Sequence, residues 1–84
     1  MSLLSFYGTE CPHCIKMEPM IDKLISEGVE IEKLEVWHNE KNKNRLEEFD
    51  RGMCGGVPFF YNTVTKKWIC GETDEASLRE LASS

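Results

Sequence analysis

Two cysteines three residues apart, Cys11-Pro12-His13-Cys14, stand between a short apolar run and a long stretch of helical periodicity. The run Leu3-Leu4-Ser5-Phe6-Tyr7 has the length and character of a buried strand, and Gly8 and Thr9 lead out of it. Beyond Cys11 the apolar side chains fall at Cys14, Met17, Ile21 and Leu24, with Met20 and Ile25 beside them. Lys16, Glu18, Asp22, Lys23 and Glu27 fall on the other side, so the segment reads as one amphipathic helix with Gly28 as its stop. The helix start offers unpaired backbone N–H groups and the positive end of a dipole, both of which favour thiolate over thiol at Cys11. Pro12 presets helical φ where no N–H is needed. Cys14 lies one turn in, on the apolar face, and is expected to be more buried than Cys11 at the exposed helix start. Such a pair is placed to exchange electrons as a dithiol and a disulfide.

The rest of the chain continues the alternation of strand and helix. Val29, Ile31, Leu34, Val36 and Trp37 alternate with charged residues, with a slip of phase near Lys33, and predict a strand over about 30–36. Asn39 is a candidate cap for a second helix whose sparse apolar face is Leu46, Phe49 and Met53. Gly52 to Gly56 break the chain before a strand at Val57-Pro58-Phe59-Phe60-Tyr61. A turn over 62–66 returns it as an antiparallel strand, Lys67-Trp68-Ile69-Cys70. After Gly71, Thr73 or Asp74 caps a last helix with Ala76, Leu78, Leu81 and Ala82 inward. Pro19 lies inside the first helix and is expected to bend it. The order is β-α-β-α-β-β-α, an α/β fold in which a four-stranded mixed sheet is flanked by helices. With 84 residues the chain is expected to form one domain over 1–84.

Hydrophobic residues make up 40% and charged residues 30%, the balance of a soluble globular protein. The formal net charge of −5, spread along the chain, argues against nucleic acid or an anionic membrane as a partner. No apolar run reaches the roughly 20 residues that span a bilayer, and the first residues lack the pattern of a signal peptide. A cytoplasmic monomer is expected. Four cysteines in a reducing compartment point to catalysis or metal binding before a disulfide scaffold.

Three features together carry a family resemblance. They are Cys11-x-x-Cys14 after the first strand, Pro19 five residues past Cys14, and Gly56-Val57-Pro58 opening the third strand. The chain resembles the thioredoxin/glutaredoxin superfamily over nearly its whole length. The resemblance implies a thiol–disulfide oxidoreductase acting on protein disulfides, with Cys11 as nucleophile and Cys14 as resolving thiol. It implies a cis peptide bond before Pro58, a geometry that costs little only at X–Pro, with Val57 offering backbone groups to the substrate. Pro12 and His13 would tune the couple, and Cys-Pro-His-Cys is similar to the motif of strongly oxidising periplasmic thiol oxidases. A protonated His13 would add positive charge near the Cys11 thiolate. Tyr7 is a further candidate contact for substrate. Gly71-Glu72-Thr73-Asp74 is similar to the segment with which glutaredoxins hold a carboxylate of glutathione. No resident cofactor is implied, and either glutathione or a thioredoxin reductase would supply electrons.

The sequence departs from that pattern at several positions. Ser5 stands where thioredoxins have a buried Asp, so Cys14 needs another proton acceptor or water. Glu10 stands where they have Trp, and a carboxylate beside Cys11 opposes its ionisation. Gly8, Thr9 and Glu10 supply no lysine of the glutaredoxin kind. Cys54 and Cys70 lie outside the motif, at the same end of an antiparallel strand pair. They read as two free buried thiols, as a second or regulatory disulfide, or as metal ligands with Cys11 and Cys14. The alternatives to a protein-disulfide oxidoreductase are a glutathione-dependent glutaredoxin and a non-catalytic module that binds zinc or an iron–sulfur cluster.

Overall fold

The computed structural model describes residues 3–83. The elements are β1 (Leu3–Tyr7), α1 (Pro12–Ser26), β2 (Ile31–Glu35), α2 (Glu40–Asp50), β3 (Phe59–Asn62), β4 (Trp68–Cys70) and α3 (Glu75–Ser83). The sheet runs β2-β1-β3-β4, with β1 parallel to β2 and antiparallel to β3, and β4 antiparallel to β3. The expected order and the mixed four-stranded sheet are both present.

Alternation along the two central strands builds two apolar layers. Leu3 and Phe60 face α1 and α3, where they meet Met17, Ile21, Leu24, Leu78 and Leu81. Leu4, Phe6, Phe59 and Tyr61 face the opposite way and pack with Leu34, Val36 and Leu46. Phe6 lies opposite Phe59 and Leu4 opposite Tyr61 in the register of β1 and β3, so this second layer is built on cross-strand pairs. Both faces of the centre are covered, which is why Leu3, Leu4, Ser5 and Phe6 are all buried in a continuous run.

Several boundaries differ from those read in the sequence. β3 begins at Phe59, because Pro58 has no N–H for the ladder and Val57 lies in the loop before it. β2 covers 31–35 and β4 begins at Trp68. Val36 nevertheless donates its N–H to Tyr7 O at 2.8 Å and extends the β1–β2 pairing. Met53 lies beyond α2 and is exposed, since the chain turns at Arg51, a left-handed residue, and ends the helical spacing. Ala76 is exposed, one residue off the inward face defined by Leu78 and Leu81. Trp37 lies beyond β2 and is half exposed, with its indole over Gly8; a Cβ on Gly8 would lie 2.3 Å from Trp37 Cδ2. α1 continues through Pro19 to Ser26.

Asn62 joins the two ends of this architecture. It is fully buried, and its Nδ2 donates to Leu81 O at 2.8 Å while Oδ1 accepts from Val64 N and Thr65 N. Replacing Asn62 with Ala removes three hydrogen bonds made by a fully buried side chain, at a cost of about 1–3 kcal/mol. Urea denaturation of N62A should show that loss as a lower midpoint with an unchanged slope.

Candidate active site

The site is assembled where β1 ends. Cys11 N donates to Gly8 O at 3.1 Å, a tight turn that delivers Cys11 to the N-cap of α1. Its Sγ accepts the N–H of Cys14 at 3.3 Å, occupying one of the backbone donors that a helix start leaves unpaired. Pro12 occupies the first helical position. On the other side, Cys11 Sγ lies 3.8 Å from Val57 O, within reach of a thiol hydrogen bond. The Val57–Pro58 bond is cis. Both cysteines are free thiols.

Cys11 is 4% exposed and Cys14 6% exposed, so the expected contrast in burial is absent. The loop before Pro58, with the Val57 carbonyl opposite Cys11, closes over the helix start. The two sulfurs differ instead in their surroundings. Burial, reinforced by the hydrogen bond to Cys11, pushes the Cys14 thiol up to about 12, so it holds its proton at neutral pH. Beside Cys14 opens a cavity of about 160 Å³ whose walls include Ser5, Tyr7, Glu18, Lys33 and Pro58. Asp22 pairs with Lys33 and raises its pKa against the effect of desolvation, so Lys33 stays protonated as half of an ion pair at this wall.

The ionisable residues within and beside the motif each have a partner. His13 Nδ1 lies 2.9 Å from Glu72 Oε1, and both side chains are largely exposed. Glu10 faces His38 Nε2 at 2.7 and 2.8 Å. The strongest of the effects on His38 is that hydrogen bond, which raises its pKa. Glu35, at the end of β2, organises this corner. Its carboxylate accepts from Thr9 N, Thr9 Oγ1, Trp37 N and His38 N at 2.8–3.1 Å. Desolvation opposes its ionisation, but those donors prevail and hold its pKa below the ordinary value.

The remaining candidates fall into two groups. Tyr7 and Pro58 meet Cys14 around the cavity, and Val57 meets Cys11. Asp74 accepts Ser77 N at 2.7 Å and so caps α3, which holds its carboxyl below the ordinary range. Thr73 precedes it, half-buried. Their approach to the site runs through their neighbours, since Gly71 N donates to Pro58 O at 2.8 Å and Glu72 reaches His13.

Cys54 and Cys70 are joined in a disulfide, with Cα atoms 5.5 Å apart. The antiparallel register puts Cys70 opposite Phe59 and so brings the end of β4 against the loop before β3. The readings of these residues as free thiols or as metal ligands therefore give way to the paired one. Among the described residues no group of three or more His, Cys, Asp and Glu side chains is placed to hold a metal ion. Sequence reasoning missed three organising carboxylates, Glu35, Asp50 and Glu72. Asp50 is buried at the end of α2 and accepts the N–H groups of Cys54 and Gly55 at 2.5 and 2.9 Å. Its only visible signal was an acid just before a glycine-rich break.

No protein-family model matches this chain and no curated protein is significantly similar to it in sequence. Among solved structures it is similar to a glutaredoxin from Archaeoglobus fulgidus, with a TM-score of 0.67 and 24% identity. The match covers 98% of this chain and 86% of that one. The chain has the glutaredoxin/thioredoxin-like fold. No helix among the described residues is long and apolar enough to cross a membrane.

Because the raised pKa of His38 comes from Glu10, the pair stabilises the fold fully below the ordinary histidine value of about 6.5. That stabilisation is lost as pH rises through the folded value. A proton NMR titration should place His38 above an ordinary histidine and return it toward that value in E10Q.

Proposed function

We propose that the protein is a thiol–disulfide oxidoreductase that exchanges electrons with protein disulfides through Cys11 and Cys14. One observation carries the proposal: Cys11 Sγ sits at the N-cap of α1, accepts the Cys14 N–H, and faces the Val57 carbonyl beside the cis Val57–Pro58 bond. A sulfur so placed has a donor for its anionic form and extended backbone beside it for a substrate strand.

The reaction balances as two exchanges. The Cys11 thiolate attacks one sulfur of a substrate disulfide, forming a mixed disulfide and releasing the other sulfur as a thiolate. Cys14 gives up its proton and attacks Cys11 Sγ, which forms the Cys11–Cys14 disulfide and frees the second substrate thiol. The substrate disulfide gains two electrons and the protein dithiol loses them. Cys14 must lose a tightly held proton in the second step. The cavity beside it, with Glu18 and Lys33 on its wall, offers that proton a polar exit in place of a carboxylate at Ser5.

Val57 and Pro58 would dock substrate backbone, Tyr7 would border the site, and Pro12 and His13 would tune the couple. Thr73 and Asp74, at the start of α3, would meet a carboxylate of glutathione. The electron donor is a thioredoxin reductase or glutathione, and the protein works as a cytoplasmic monomer.

The test is turnover of a peptide disulfide by the Cys11→Ser and Cys14→Ser variants, with each donor supplied in turn. C11S should lose activity. C14S should accumulate a covalent adduct between Cys11 and the peptide, visible by mass spectrometry. Full activity in C11S would overturn the proposal.

A further inference from the structure

We propose that the Cys54–Cys70 disulfide is a second redox site, opened by a dithiol, whose opening loosens the loop that presents substrate to Cys11. The proposal rests on the reading of Cys11 as the attacking thiol and assigns that site a means of regulation.

Residues 51–57 form neither helix nor strand, and Gly52 and Gly55 take positive φ there. Two of the ties that hold this segment beside the site meet at Cys54. One is the Asp50 carboxylate, which accepts the N–H groups of Cys54 and Gly55. The other is the bond from Cys54 to Cys70 at the end of β4. Three residues after Cys54, the Val57 carbonyl faces Cys11 Sγ. On the other arm, Gly71 follows Cys70 and donates to Pro58 O, and Glu72 meets His13. Each cysteine of the disulfide therefore adjoins residues that touch the site.

Access favours the same conclusion. Cys70 is exposed at the end of the edge strand, whereas Cys54 is half-buried against the apolar layer under α2. A dithiol that keeps Cys11 and Cys14 reduced also meets Cys70 at the surface. One thiolate of that dithiol attacks Cys70 Sγ, breaks the Sγ–Sγ bond, and releases Cys54, which takes up a proton. The second thiol of the reductant then displaces Cys70 and leaves the reductant as a disulfide. Two electrons pass to the protein. The new Cys54 thiol has an acceptor ready, since its Sγ lies 3.5 Å from Gly56 O. The loop then keeps its Asp50 anchor and the packing of Val57 on the apolar layer under α2, and loses its covalent tie to β4.

The experiment titrates the whole chain with dithiothreitol, maps each cysteine by alkylation and mass spectrometry, and follows amide exchange over 54–57. The expected result is joint labelling of Cys54 and Cys70 in a folded chain. Exchange over 54–57 should be faster than in the state with Cys11 and Cys14 free and Cys54–Cys70 joined. The Cys54→Ser/Cys70→Ser variant should show a KM for a peptide disulfide raised several-fold, with its rate on hydroxyethyl disulfide unchanged. A Cys54–Cys70 bond that survives until the chain unfolds overturns the proposal. So do loop exchange and KM that are the same open and closed. Failure of the unmodified chain to turn over hydroxyethyl disulfide would instead contradict the role of Cys11.

Discussion

The hydrogen bond from Cys14 N to Cys11 Sγ joins the fold to its chemistry. A helix start leaves backbone donors without partners, and here a sulfur takes the place that Ser, Thr or Asp usually fills. For that bond to exist, α1 must begin at a fixed point above the end of β1. The Gly8 turn supplies the entry, Pro12 sets the first helical residue, and Met17, Ile21 and Leu24 hold the helix axis against Leu3 and Phe60. Gly8 cannot carry a side chain because Trp37 lies over it. The position of one sulfur thus depends on packing in three elements. The carbonyl of Val57 completes its surroundings from a fourth segment of the chain.

The charges around that sulfur are arranged in local pairs. Glu10 precedes the motif and His13 lies within it, and from sequence the two are expected to pull Cys11 in opposite directions. In the structure Glu10 meets His38 and His13 meets Glu72. Both pairs are exposed, so solvent screens them further. The groups that meet Cys11 Sγ directly, the Cys14 amide and the Val57 carbonyl, are both backbone.

Much of this was legible in the sequence because it is written locally. The β1 run, the spacing of Cys14, Met17, Ile21 and Leu24, and the hairpin around 62–66 each depend on neighbours in the chain. The features left open or unread depend on register and loop closure. The pairing of Cys54 with Cys70 requires Phe59 to face Cys70, a fact of alignment between strands. The burial of Cys11 comes with a loop some 46 residues away. Trp37 fits the alternation of an inward strand residue, yet it continues past β2 and folds over Gly8. Glu35, Asp50 and Glu72 look like ordinary surface acids until the amides and the histidine they meet are placed beside them.

The most direct measurement is a redox titration of the C54S/C70S variant, with Cys11 and Cys14 mapped individually by mass spectrometry. Both thiols should convert together into one intramolecular disulfide in a single two-electron step, at a potential between about −270 and −120 mV. Oxidation that leaves Cys11 and Cys14 unjoined, each modified independently of the other, would contradict the account.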